Sequence, residues 1–182
     1  MLKIRARKRQ RGFTLVESMV GLTLLGVLMT GTLGSIHLSM MMAESSIYES
    51  TANNISQGYL EQVKSLSYED ILLAIQDPAH YSLTTLSPTY NDLAQATITF
   101  ESINLASGNQ PIEKDILINV IENGDNIAIK MPMKLWISVQ DMNTGSSPVN
   151  ALGIKVVYSY KLPEAYGGHW LNGQVQGVRA RI

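Results

Sequence analysis

Cysteine is absent from all 182 residues, which removes disulfide staples and thiolate metal sites and leaves the redox compartment undetermined. Histidine is scarce, and His37, His80 and His169 stand far apart, with no second histidine or carboxylate at a zinc-ligand spacing. No nucleophile elbow is present. Charge is unevenly missing. Residues 1–12 hold no acid but six cations: Lys3, Arg5, Arg7, Lys8, Arg9 and Arg11. Removing those six from the 14 Lys and Arg leaves 8 against 15 Asp and Glu, so residues 13–182 carry a formal −7, which argues against a nucleic-acid binder. Nothing calls for a cofactor or a metal, and the pattern points away from an enzyme.

The scarcest charge lies between Phe13 and Ile36, 24 residues whose single charged side chain is Glu17. As a helix this run is about 36 Å long, enough for a hydrocarbon core of about 30 Å. The cations before it predict a cytoplasmic N-terminus, with everything after Ile36 beyond the membrane. A secretory signal has a shorter apolar stretch, of roughly 7–15 residues, and a small-x-small cut site. A plain anchor fits the length but not Glu17, because a carboxylate among apolar neighbours is costly in a bilayer and marks function there.

The string Arg11-Gly-Phe-Thr-Leu-Val-Glu17, set between the basic leader and the apolar run, resembles the prepilin signature of type IV pilins and pseudopilins. The resemblance implies that a prepilin peptidase cuts between Gly12 and Phe13, that the new Phe13 amine is N-methylated, and that Glu17 serves filament assembly by neutralising the Phe13 amine of a neighbouring subunit. It further implies as partners other pilins or pseudopilins, an inner-membrane platform protein, an assembly ATPase acting through that platform, and membrane lipid. One departure from major pilins is that no proline interrupts the segment; Gly26, Gly31 and Gly34 supply weak points instead. Gly26, Thr30 and Gly34 also form a small-xxx-small row, which suits close helix contact and equally suits ordinary glycine tolerance. Ala52–Ile71, ending Ser67-Tyr68-Glu69-Asp70, is similar to the helix end of minor pilins and pseudopilins.

Beyond Ile36 the apolar positions Met40, Ala43, Ile47, Thr51, Ile55, Tyr59, Val63 and Leu66 step by three or four, predicting an amphipathic helix that continues the first. Met40–Met42 read as adaptable packing. Pro78 and Pro88 make 77–93 a connecting loop. A period of two follows: Ala96, Ile98 and Phe100; the dense run Ile116–Ile121; then Ile127 to Val139, with Met131, Met133 and Leu135 on one side and Lys130, Pro132, Lys134 and Ser138 on the other. Pro132 suggests an edge strand or a bulge. Leu152 to Tyr160 and Val178 to Ile182 complete the strands. The expected division is a cleaved basic leader (1–12), a membrane and filament-core helix (13–36), an amphipathic helix (37–76) and a β-rich globular domain (77–182). The fold class is α+β, pilin-like: a long helix packed on four or five mostly antiparallel strands.

Two loops leave alternatives open. Glu122, Asp125 and Asn126 around Gly124 suit a hairpin turn better than a Ca²⁺ site. Tyr166-Gly167-Gly168-His169-Trp170 is either an exposed recognition loop or a turn with Trp170 in the core. The function implied is a minor pilin or pilin-like subunit of a type IV pilus or pilus-like secretion filament. The alternatives are a type II secretion pseudopilin and a membrane-tethered adhesin or binding domain.

Overall fold

The computed structural model describes residues 14–92, 95–105, 111–122, 125–142 and 150–181. It divides into two compact units, 1–43 and 44–182, which share helix α1, Leu15–Ser65.

In the first unit Thr14 opens the helix. Its hydroxyl accepts from the Glu17 N–H at 3.3 Å, and its carbonyl accepts from the Ser18 N–H at 3.1 Å. Thr14-x-x-Glu17 is the spacing of a capping box, and the acid in the first turn also complements the helix dipole. Every residue from Thr14 to Met40 is exposed, including Leu15, Leu22, Val27 and Leu33. Hydroxyls along this stretch bond back to their own helix: Thr23 to the Met19 carbonyl, Thr30 to Gly26, Thr32 to Met29 and Ser35 to Gly31, at 2.8–3.0 Å. Such internal satisfaction is what a helix in hydrocarbon requires.

The second unit begins with the remainder of α1, which buries Tyr48, Ala52, Ser56, Tyr59, Leu60 and Val63. The first part of the seam runs through Tyr48, Ala52 and Ser56 where the sequence pattern pointed to Ile47, Thr51 and Ile55, and Ile47 is exposed; the expected Tyr59 and Val63 are buried. Ser56 loses nothing by burial, since its hydroxyl donates to the Ala52 carbonyl at 2.8 Å.

The helix does not run unbroken to residue 76. It stops at Ser65, and Ser67, in extended geometry, caps a second helix, α2 (Tyr68–Gln76), by accepting from the Asp70 N–H at 3.0 Å. Glu69 and Asp70 fill the first turn of α2. Ile71 and Ala74, three apart, are its buried face.

Four strands form an antiparallel sheet in the order β3-β4-β5-β6: Ile112–Glu122, Asp125–Asp141, Ala151–Lys161 and Trp170–Ala180. A separate antiparallel hairpin joins β1 (Leu83–Asp92) to β2 (Gln95–Ile103). The architecture is α+β and pilin-like as expected, but the described strands number six, four in the sheet and two in the separate hairpin, where four or five were expected. Of the loop expected over 77–93, residues 77–82 do connect α2 to β1 without regular structure, but Leu83–Asp92 form a strand. Pro88 is tolerated because β1 pairs with β2 alone, an edge situation where a missing N–H costs little.

Alternation on β4 follows the sequence pattern: Met131, Met133 and Leu135 are fully buried. They meet Ile154, Val156, Tyr158 and Tyr160 of β5 and the α1 seam in one core. Pro132 lies on an inner strand, but pairing of β4 with β5 begins only at Met133–Tyr160, so its β5 side is unpaired there. On β6 two glycines make room for close approach. A Cβ on Gly173 would fall 2.3 Å from the Tyr158 ring, and one on Gly177 would meet Leu60 and Lys64 of α1 at 3.2 Å.

Candidate membrane and processing segment

Of the residues singled out by the sequence, Gly12 and Phe13 lie outside the described residues. Glu17 stands in the first turn of α1, where its own N–H is capped by Thr14. The stretch of α1 that follows is long and apolar enough to cross a membrane, and none of its most apolar window is buried by the rest of the chain. Residues 14–40 thus offer a continuous apolar surface that this chain does not cover.

The second unit contains one notable polar cluster. Lys114 of β3 places its Nζ 2.7 Å from Glu101 Oε2 of the hairpin and donates to the Ser87 hydroxyl. The Tyr59 hydroxyl of α1 donates to the same Glu101 oxygen at 3.2 Å, and Lys114 sits 5.5 Å above the Tyr59 ring. The Lys114 side chain is only 13% exposed and that of Glu101 29%. Burial pushes the Tyr59 hydroxyl above its ordinary range, and the Lys114 hydrogen bond and charge pull it partly back. Gln62 adds a further tie, accepting from the Leu86 N–H at 2.6 Å.

These contacts pin the hairpin to helix and sheet through side chains. The inner face of the hairpin combines Leu83 and Ile103, which join the core, with buried Thr85 and Ser87, while Ile98 and Phe100 on the outside are 66% and 80% exposed. The adjoining cleft, about 660 Å³, is lined by paired charges and hydroxyls such as Ser87, Glu101 and Lys114. No sequence signal announced this cluster, because its members are separated by 13 to 55 positions.

Among the described residues no group of three or more His, Asp or Glu is placed to hold a metal. β3 and β4 pair as far as Glu122–Asp125, which leaves the two-residue connection of a tight hairpin; Asn123 and Gly124 themselves lie outside the described residues. In the 166–170 loop the Tyr166 ring packs on Tyr48 at 6.2 Å, and Gly167 and Gly168 supply positive φ of 96° and 61°. Trp170 is 41% exposed with Lys134 Nζ 5.5 Å over its ring, so it is not a core residue.

Residues 7–33 match the family model for the prokaryotic N-terminal methylation motif. No curated protein and no solved structure matches the chain. The matched segment spans four of the six leader cations, Arg7, Lys8, Arg9 and Arg11, together with the Gly12–Phe13 junction and most of the exposed apolar helix. The chain therefore carries a type IV prepilin-like signal on a single-pass membrane helix, joined to an α+β, pilin-like fold.

Proposed function

We propose that this protein is a non-catalytic minor pilin or pilin-like subunit, built into a type IV pilus or a pilus-like secretion filament after prepilin peptidase cleavage. The observation that carries the reading is one chain combining the methylation motif with an apolar helix that its own fold leaves uncovered. The cation-rich residues 1–12 hold the N-terminus in the cytoplasm, and the second unit lies on the other side of the membrane. Cutting between Gly12 and Phe13 removes six cations, after which the helix is free to leave the bilayer sideways. Glu17 stands in the first turn of α1, four positions after the Phe13 whose amine the cut would free. A neighbour's amine offers Glu17 a partner in a low-dielectric filament core, where an unpaired carboxylate is costly. Other pilins or pseudopilins, an inner-membrane platform protein and, through it, an assembly ATPase are the partners this requires.

Glu17→Ala tests the assembly role. The variant is expected to be cut at Gly12 and to stay in the membrane, yet to be missing from sheared filament fractions. Normal incorporation would remove Glu17 from the assembly mechanism.

A further inference from the structure

The two edges of the four-stranded sheet are built differently. β3 carries three consecutive charges, Glu113, Lys114 and Asp115; Glu113 pairs with Lys134 at 2.7 Å, and Lys114 is engaged by the hairpin. Charge on an edge and cover over it are the usual protections against pairing with another strand. β6 has neither charge nor proline from Trp170 to Val178, and its eleven-residue register with β5 is unbroken by a bulge. Among the described residues no strand pairs with its far side. The row of β6 that faces α1 is also thinly covered: Leu171 and Val175 are half-buried, while Tyr160 and Val156 opposite them on β5 are buried. The outer row presents the exposed amides of Asn172, Gln174 and Gln176.

We propose that β6 is a strand-acceptor edge, which takes an extended, uncharged segment of a different protein of the assembly as a fifth strand of the sheet. Backbone hydrogen bonds supply the pairing. Apolar residues on the α1-facing row of the incoming strand complete the cover over Leu171 and Val175, and amide or hydroxyl residues on its other row meet Gln174 and Gln176.

A second copy of this chain is the obvious competitor, because Gly173-Gln-Val-Gln-Gly177 reads the same in both directions and is self-complementary in an antiparallel register. The packing counts against this antiparallel pairing for chains whose α1 helices enter one membrane from the same side. The Tyr48–Tyr166 and Leu60–Gly177 contacts show that α1 runs in the same direction as β6, so antiparallel β6 strands impose antiparallel helices. Two chains that enter one membrane from the same side have parallel helices. This choice of occupant rests on the anchored-subunit reading; the accessibility of the edge does not.

The same symmetry supplies a probe, a blocked synthetic peptide of residues 170–178, free of any membrane constraint. With full-length protein in detergent, the peptide is expected to slow amide exchange of β6 by about tenfold or more and leave β3 unchanged. Gln174→Lys/Gln176→Lys should abolish the effect without altering the melting curve. Exchange of β6 that is as slow as that of β4 without peptide, or is unmoved by it, overturns the acceptor edge.

Because the chain has no cysteine, Gln174→Cys introduces a single thiol for short-range cross-linking in native membranes. An adduct whose mass is not twice that of the chain, lost with Gln176→Lys and not formed from Asp115→Cys on β3, agrees with the proposal. A homodimer, no adduct, or equal adducts from both edges overturns the assigned occupant. If the peptide protects β6 and only homodimers form in membranes, the anchored-subunit reading has failed and the edge has not.

Discussion

Residues 15–40 and 44–65 belong to one helix but answer to two solvents. The first stretch is mostly apolar and exposed, with Glu17 near its start, and bonds the hydroxyls of Thr23, Thr30, Thr32 and Ser35 back to its own carbonyls; the second is polar on one side and buries a seam of small and aromatic residues. A helix that is hydrophobic all round belongs in lipid or in a helical core, while one with a single buried seam belongs against a sheet. In the first stretch the stabilising contacts must come from outside the chain. In the second they are already present.

Removing the second stretch is the largest perturbation. A chain beginning at Glu44 is expected to melt cooperatively, whereas one beginning at Asp77 loses Tyr48, Tyr59, Leu60 and Val63 from the core. At about 1.5–3 kcal/mol for each large apolar side chain, that loss is comparable to the whole stability of a domain. Circular dichroism melts of the two chains check this, and an equally sharp transition in the shorter one would detach α1 from the core.

A smaller effect separates glycines of the two regions. Gly173→Val drives a side chain into the Tyr158 ring and is expected to cost about 1–3 kcal/mol. Gly31→Ala meets nothing within 4 Å and should leave the melting of the second unit unchanged. Thermal denaturation of both full-length variants in detergent tests the pair; equal shifts would erase the distinction between the regions.

Next comes the hairpin attachment. Lys114→Ala strands the partly buried Glu101 and is expected to destabilise by roughly 1–3 kcal/mol. Lys114→Met with Glu101→Leu should recover much of that, because replacing both partners of an ion pair removes the unpaired charge. A double variant no more stable than Lys114→Ala would mean the hairpin is held by something other than the pair.

The smallest effect is alkaline. Burial, the leading cause in each case, holds Tyr48, Tyr59, Tyr158 and Tyr160 above their ordinary value of 10.0. The folded state therefore keeps protons that the unfolded chain gives up once the pH passes that value. This contribution to stability is complete below about pH 10 and is lost as pH rises toward the folded values. Tyr59→Phe should make the decline above pH 10 shallower in denaturant titrations, and an unchanged decline would exclude Tyr59 as a contributor.

How much was legible in the sequence follows the same division. The processing motif and the membrane helix are local: adjacent residues carry the whole signal, and six cations followed by an apolar run need no tertiary information. β4 was legible because its one buried face enforces strict alternation through Met131, Met133 and Leu135. β1 was not, because only Leu83 of its buried row, Leu83, Thr85 and Ser87, is apolar, and its proline sits where only one partner strand exists. The first part of the helix seam was misplaced by one residue because Ala52 and Ser56 are too small to register in a hydrophobicity pattern, whereas Tyr59 and Val63 were legible. Glu101 and Lys114 meet only in space. The β6 edge was half legible: Val178 and Ala180 marked a strand but lie on its exposed row, Ile182 is outside the described residues, and Gly173 and Gly177 look like turn residues until Tyr158 and Leu60 are seen resting on them.

The central claim is that the exposed helix is a processed filament segment and not a permanent tether. Its most direct test is the N-terminus of the mature protein, read by intact mass and N-terminal sequencing from native membranes. The account predicts a chain beginning at Phe13 and bearing one added methyl group on its amine, with Gly12→Val left uncut. A mature chain that keeps residues 1–12, or one that begins after residue 20, would contradict it.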